Sequence, residues 1–552
     1  MHDLVIRDAL LVDGLGSPPR RGDLAVKDGR IMEVGKTSLS AKETIDADGL
    51  ALMPGIIDNH THYDAQITWD PWASPSPALG VTTAVIGNCG FTIAPCRPDD
   101  RELVMKNLTQ VEGMSLAALR AGIRWDFESL PQYLDMLERR GAALNIACFV
   151  GHSSVRTYVM GAAASQRAAT PEEVSAMKDL VLEGLRAGAI GLSSTTSPAH
   201  NGEGGLPMPS RLADEAEFRA LVGCLGEAGR GVFMLTKGGQ TRMPFLEALA
   251  ADSARPVVVA ALLHSSTNPT AVFEDLEKIK EANDRGHRLV GAVSCCPLSM
   301  EFTMRSPYVL EGLDSWKPAL PLKGEAFKAK LREKAFRDGI RAELSGPAHF
   351  RLFNGEWHKV QVVESQRTIA EIAGNADPLD CMLDLALKEN LDTVFNALLL
   401  NSDEKAVGKM LRHPCSLVSL SDAGAHLTFF NDAGFGLHLL GHWVRKLGVL
   451  TLAEAVWRLT GHPATVFGIE NRGALKPGYQ ADLLLFDPAR IERGPVKRTF
   501  DLPAGEPRLT AQAVGVHGVW VNGARIVGRN GETQLRQRGE KLPGQLLRRF
   551  AA

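Results

Sequence analysis

The sequence predicts an α/β fold: a closed (β/α)8 barrel of the TIM type with a small composite β-domain built from both chain ends. Three observations predict it. Eight apolar runs of strand length, each closing in polar or small residues, occupy the middle of the chain. Amphipathic helical stretches separate several of them. Both ends follow another pattern, short β-like runs punctuated by turn triplets. Continuous apolar strands alternating with helices signal a parallel sheet covered on both faces. Eight such strands fit a closed barrel, and an open doubly wound sheet is the competing arrangement.

At the N-terminal end, "LVIRDALLVDG", "DLAVKDGRIMEVG" and "ETIDADGLAL" are joined by hairpin triplets. The same grammar returns in "ADLLLFD" and in "VHGVWVNGARIVGRNGE", with its Asn522-Gly523 turn. The barrel runs are 52–62, 82–90, 145–154, 189–196, 231–238, 256–266, 288–297 and 416–426. The clearest helix is "TPEEVSAMKDLVLEGLRAG", with Thr170 as N-cap and Pro171 at the first helical position. Between the seventh and eighth runs, residues 298–415 are far too long for one barrel helix and imply an inserted lid or subdomain. It carries Tyr308, Trp316 and Phe327, enough for an apolar or aromatic acyl group. The expected division is 1–53 and 471–536 for the β-domain, 54–470 for the barrel with its insertion, and 537–552 as a solvated basic tail.

The net charge of −3 gives no global field for nucleic acid or an anionic membrane. The N-terminus lacks the pattern of a signal peptide, and no window is apolar enough for a membrane span. Eight cysteines are too sparse for a disulfide framework, so reduced thiols in the cytoplasm are the expectation. A small-molecule substrate is the expected partner, and homo-oligomerisation is left open.

Chemistry gathers at the run ends. "GIIDNHTHYDAQ" places His60 and His62 two residues apart, hence on one face of a strand end, flanked by Asp58 and Asp64. Neutral imidazole is a good ligand for zinc and similar ions. Cys89 ends the second run, His152 the third, Lys237 the fifth, His264 the sixth and Asp422 the eighth. Taken singly, a strand-end cysteine is a small hydrophobe and a strand-end aspartate a helix cap. Taken together, they are better explained as one metal cluster.

The segments "PGIIDNHTHYDAQ", "GNCGF", "GHSSVR", "GLSS", "SDAGAH" and "NRGALKPGYQADLLLFD" resemble the amidohydrolase superfamily, within it the N-acyl-D-amino-acid deacylases. The resemblance implies a metal-bearing barrel, Cys89 as an unusual ligand from the second strand, and hydrolysis of an amide bond. Two positions depart from the group. Its fifth strand usually ends in a ligand histidine, where this chain has Thr236 and Lys237. Its sixth continues from the histidine to a lysine that holds the substrate carboxylate, where His264 is followed by Ser265 and Ser266.

The expected activity is that of a metal amidase with one or two zinc ions, held by His60, His62, Cys89, Lys237, His264 and Asp422. A divalent ion polarises the carbonyl and brings the pKa of a bound water down to roughly 7. Asp422 is the candidate proton shuttle between that water and the leaving amine. His152 either stabilises the oxyanion, orients a ligand, or is a packed histidine. His426 is read as structural or as supporting a ligand from behind, and not as a ligand itself. Lys237 has three readings: turned away with Thr236 inward, a cation gripping a substrate carboxylate, or a carbamate ligand. A cyclic-amide or lactone hydrolase is the alternative activity, and a catalytically silent barrel used for binding is the alternative class.

Overall fold

The computed structural model describes residues 1–36, 40–307, 309–346, 353–429, 432–529, 531–532 and 541–551. Tyr308 and residues 537–540 and 552 of the expected tail therefore lie outside the described residues.

Eight strands pair in parallel and in chain order: Ile56–Asp58, Val81–Ile86, Asn145–Cys148 with Val150–Gly151, Gly191–Thr195, Val232–Thr236, Val257–Leu262, Leu289–Val293 and Ser416–Val418. They are almost wholly buried, as strands covered on both faces must be. The two ends of the series meet. Thr61 bridges Ala423 in parallel, the His62 amide donates to Ala423 O at 2.8 Å, and Asn59 Nδ2 donates to Val418 O at 2.9 Å. Helices such as Pro171–Ala187, Glu215–Glu227, Met243–Ser253 and Ala271–Asp284 follow successive strands. Thr170 and Glu173 form the capping box that starts the first of these, and Gly188 ends it in the left-handed region at φ 109°.

The first expected run, 52–62, divides. Ala51–Pro54 pairs antiparallel with Leu483–Phe486, and Ile56–Asp58 begins the parallel series. Gly55 is the hinge, because a Cβ there would sit 2.1 Å from the Thr82 side chain. The pairing with Leu483–Phe486 places strands from both chain ends in one sheet, which has its own core of Leu24, Leu52, Leu483 and Trp520. A further hairpin, Glu492–Thr499 with Arg508–Val514, braces the loop after the eighth strand. Arg493 pairs with Asp432 at 2.8 Å, and Arg498 donates to Thr428 O at 3.0 Å.

The long seventh connection is a folded unit. Leu298–Phe302, Phe395–Leu400, Val360–Val362 and Arg367–Thr368 form a four-stranded sheet. Its helices close a separate core around Trp316, Phe327, Leu383 and Phe395. Trp316 is fully buried there, and Phe327 nearly so, so both pack within this unit's own core.

The described part of the expected tail, 541–551, is a correction to the sequence reading. It docks along the third strand: Ile146 N donates to Gln545 O at 2.9 Å and Leu547 N to Ile146 O at 2.7 Å. Arg548 meets Asp135 at 2.6 Å and Glu138 at 2.9 Å, and Phe550 is 9% exposed. Strand pairing of an irregular basic segment leaves no hydrophobic period for a sequence reading to find.

His462, stacked on Trp457 with centroids 4.4 Å apart, is held to about 4 by burial and by Arg458. It is neutral in both states above the ordinary histidine value. Between about 6.5 and 4 only the unfolded chain takes the proton, so stability falls as pH falls and levels off below 4. We expect His462→Gln to remove on the order of 2–3 kcal/mol of that acid-side loss. Denaturant titrations of both proteins at pH 7 and pH 4.5 measure it, and parallel losses in both would sink the assignment.

Candidate metal centre

The centre is built where the first strand ends beside the second and the eighth. His60 and His62 follow Ile56–Asp58, Cys89 follows Val81–Ile86, and Asp422 follows Ser416–Val418. One ligand atom from each of His60, His62 and Cys89 falls within 4.8 Å of the others, and all three side chains are buried. Asp422 Oδ1 completes the set at 3.1 Å from His60 Nε2 and 3.7 Å from His62 Nε2. Cys89 Sγ lies 3.5 Å from His60 Nε2. The Asp422 side chain is 24% exposed, against 4% for each histidine, so it is the donor that reaches the open cavity. That cavity is walled by Ala261, Leu263, Ser294, Leu298, Leu420 and Asp432.

Cys89 at φ 57° and Asp422 at φ 47° both sit in the left-handed region, which costs a non-glycine residue about 1–3 kcal/mol. Such conformations persist where surrounding structure imposes them. Here Ser421 imposes one: its hydroxyl lies 2.7 Å from Asp58 Oδ2 and 3.0 Å from His60 O. Asp58 and Asp64 are therefore braces and not ligands. Asp64 accepts from Gly87 N at 2.9 Å, fixing the turn before Cys89. Burial drives both carboxyls up to about 7.

The charges balance within the cluster. Burial opposes a charge on His60, yet Cys89 and Asp422 beside it raise the imidazole to about 9. His62 is raised well above its ordinary value against the same burial, chiefly by Glu112. Cys89 and Asp422 are both depressed despite burial, by the two imidazoles. Two anions facing two imidazoles in one buried space is a donor set that a divalent cation satisfies by displacing protons. Two nitrogens, one sulfur and one carboxylate oxygen suit zinc or a neighbouring transition ion.

Three expected site residues are placed elsewhere. Lys237 turns away from the centre, with Nζ 2.6 Å from Asp275 Oδ2, while Thr236 takes the inward position. Alternation along the strand makes these exclusive, so a carbamate on Lys237 does not reach the cluster. His264 stays outside the donor group among the described residues. Its backbone is clamped by Asn401, with His264 N donating to Oδ1 at 3.2 Å and Asn401 N donating to His264 O at 2.8 Å. His152 is fully buried, with Nδ1 2.9 Å from Ser194 Oγ and Nε2 2.7 Å from Glu217 Oε1. Both ring nitrogens are engaged, in a buried network with Glu217 and Arg156.

Glu112 and His200 escaped the sequence reading. Glu112 is buried, with Oε1 3.3 Å from His62 Nδ1 and Oε2 3.6 Å from His426 Nε2. A carboxylate behind a ligand imidazole fixes its ring and raises its basicity. The available signal was its place: an acid closing helix Arg101–Glu112 just before Gly113 opposes the helix dipole and needs a cationic partner. His200, on the loop after the fourth strand, packs its ring 5.2 Å from Phe91 and sets Nδ1 2.8 Å from Thr195 Oγ1. Burial, then His426 and His62, push it down to about 3, so it stays neutral beside the charged cluster.

A parallel α/β scaffold with two histidines, a cysteine and an aspartate converging at strand ends defines the class of metal-dependent hydrolases. The chain belongs to the amidohydrolase family, whose model matches residues 43–527. A D-aminoacylase of Alcaligenes xylosoxydans xylosoxydans is 30% identical over 538 residues, covering 95% of this chain and 94% of that protein. An N-acyl-D-aspartate deacylase of the same organism is 29% identical over 570 residues, covering 99% and 95%. Among solved structures, an N-acyl-D-glutamate deacylase from Bordetella bronchiseptica, complexed with zinc and a phosphonate mimic of the tetrahedral intermediate, is similar at TM-score 0.68 and 26% identity over 99% of this chain and all of that one. A D-aminoacylase studied for its binuclear metal centre, with one-metal activation and second-metal attenuation, matches at TM-score 0.68 and 25% identity over the whole of both chains. Among the described residues, no helix is long and apolar enough to cross a membrane.

Glu112→Gln is expected to weaken metal retention by roughly 10–100-fold, read by competition with a chromogenic chelator. Lys237→Met is expected to leave metal content unchanged in the same assay. A loss of metal on Lys237→Met would return that lysine to the centre.

Proposed function

We propose that the protein is a zinc-dependent amidohydrolase that cleaves the acyl–nitrogen bond of a small N-acyl compound. The observation that carries this is the four-donor cluster of His60, His62, Cys89 and Asp422 on the exit side of the parallel strands. The meeting of Thr61 with Ala423 supports a closed (β/α)8 barrel, and the pairing of Ala51–Pro54 with Leu483–Phe486 supports a composite β-domain spanning 1–53 and 471–536. Eight free cysteines suit a reducing compartment. Relatives acting on N-acyl-D-amino acids make these the first substrates to try.

A divalent ion at this centre supplies Lewis acidity and an acidified water. The chain's own residues do the rest. Asp422, the one solvent-reaching donor, would help hold the ion, take a proton from the attacking water, and return it to the nitrogen released as the acyl–nitrogen bond breaks. His62 is kept in register by Glu112, and His60 by its backbone contacts to Asp58 and Ser421. The apolar wall of Ala261, Leu263 and Leu420 excludes water from the reacting carbonyl and receives an uncharged part of the substrate. Retention of three buried donors with Asp422 beside them weighs against a silent scaffold.

The test is turnover of N-acyl-D-amino acids and neutral N-acyl amines by the zinc-loaded protein, with Asp422→Asn as control. Asn is isosteric but cannot take the proton, so kcat should fall at least 100-fold while most of the metal remains, the scale of a lost general base. Wild-type turnover in Asp422→Asn at saturating zinc would remove Asp422 from the reaction.

A further inference from the structure

Cys89 has a polar neighbour besides the donors already described. Thr236 Oγ1 lies 3.1 Å from Cys89 Sγ, nearer than His60 Nε2 at 3.5 Å. Thr236 ends the fifth parallel strand and is held from both sides, its register set by Thr195 on one neighbour and Ala260 on the other. Its carbonyl accepts from Thr196 N at 2.9 Å, and a β-branched side chain has little rotamer freedom. The hydroxyl is therefore a fixed neighbour of the sulfur.

Among the described residues, no second group of three converging His, Cys, Asp or Glu ligand atoms is present. Lys237, the next residue, is paired with Asp275 at 2.6 Å. On the sixth strand and its exit, Ala261 and Leu263 face the cavity beside Asp422, and the His264 backbone is held by Asn401. Asn401 is itself fixed, its Nδ2 donating to Ser294 O at 2.8 Å and to Cys296 O at 2.9 Å. Among the described residues, only one group of three or more His, Cys, Asp and Glu ligand atoms converges, and it includes neither His264 nor Lys237. The fifth-strand position where a further donor was expected holds a neutral hydroxyl, Thr236, and the lysine after it is already paired with Asp275. Zinc and similar ions require imidazole, thiolate or carboxylate in number, and a neutral alcohol is a poor substitute.

We propose that the centre is mononuclear, one ion bound by His60, His62, Cys89 and Asp422, and that Thr236, standing where a further ligand was expected, is a hydrogen-bond donor to the Cys89 thiolate. This rests on the amidohydrolase reading and deepens it. Thr236 is a positioning residue. Its O–H holds the sulfur lone pair that does not face the ion, which fixes the thiolate's direction and draws electron density from it. A less donating thiolate leaves the ion a stronger Lewis acid.

The experiment measures metal and spectrum apart from turnover. The full chain is equilibrated with excess zinc, freed of unbound ion and analysed by elemental mass spectrometry. One zinc per chain is expected. Two per chain overturns the mononuclear centre and leaves the amidohydrolase reading standing, whereas none overturns both. The cobalt-loaded protein then reports the Cys89–Thr236 contact through its sulfur-to-metal charge-transfer band. Thr236→Val, which keeps the shape and removes the donor, should shift that band to longer wavelength at unchanged stoichiometry, because the sulfur lone pairs rise in energy. Thr236→Ser should restore the wild-type position. An unshifted band in Thr236→Val overturns the role given to Thr236.

Discussion

The centre exists because the first and last parallel strands are stitched side by side. Asn59 donates to Val418 O, Thr61 bridges Ala423, and the Ser421 hydroxyl sits between Asp58 and the His60 carbonyl. Each of these contacts spans nearly the whole parallel series in sequence. Without them the histidines and Asp422 would belong to opposite edges of a sheet. With them, donors remote in sequence share an oxygen–nitrogen distance of 3.1 Å. The buried carboxyl of Asp58 is the core of the stitch. Burial brings it near neutrality, and a protonated or hydrogen-bonded acid is tolerated there where a bare charge would be costly.

The surrounding shell follows from the same need to keep buried charge compensated. Four titrating donors in one space are stable only as alternating signs or around a cation. Glu112 adds a further negative charge behind His62, and His200 stays neutral so that it adds none. Beneath them, His152, Glu217 and Arg156 form a second buried network that anchors the start of the helix after the third strand. Its resemblance to a catalytic arrangement in the sequence came from position alone: a histidine at a strand exit occupies the same place whether its ring turns to the cavity or to the helix layer.

The strands and their exit-end donors were legible in the sequence for a physical reason. A strand buried on both faces is written as an unbroken apolar run, and His60, His62, Cys89 and Asp422 each interrupt such a run with a group that is costly to bury. The register of "VFMLTKG" was not legible, because alternation says that Thr236 and Lys237 face opposite ways and not which faces inward. Glu112 lay outside the strand-end runs, at the close of helix Arg101–Glu112, where a single acid carries no motif. The docking of 541–551 was hidden because main-chain pairing carries no side-chain signature. The division at Gly55 was hidden too, since a close approach to Thr82 has no period.

The pairing of Ala51–Pro54 with Leu483–Phe486 also sets a timetable for biosynthesis. The first strands of that sheet leave the ribosome long before their partner is made, and the whole parallel series and the inserted unit are translated in between. Contacts so distant in sequence form slowly, since a long loop must close before they reward it. In the interval the exposed strand edge is open to pairing with another chain. A nascent chain of this architecture is therefore exposed to chaperone capture or misassembly until its last strands emerge.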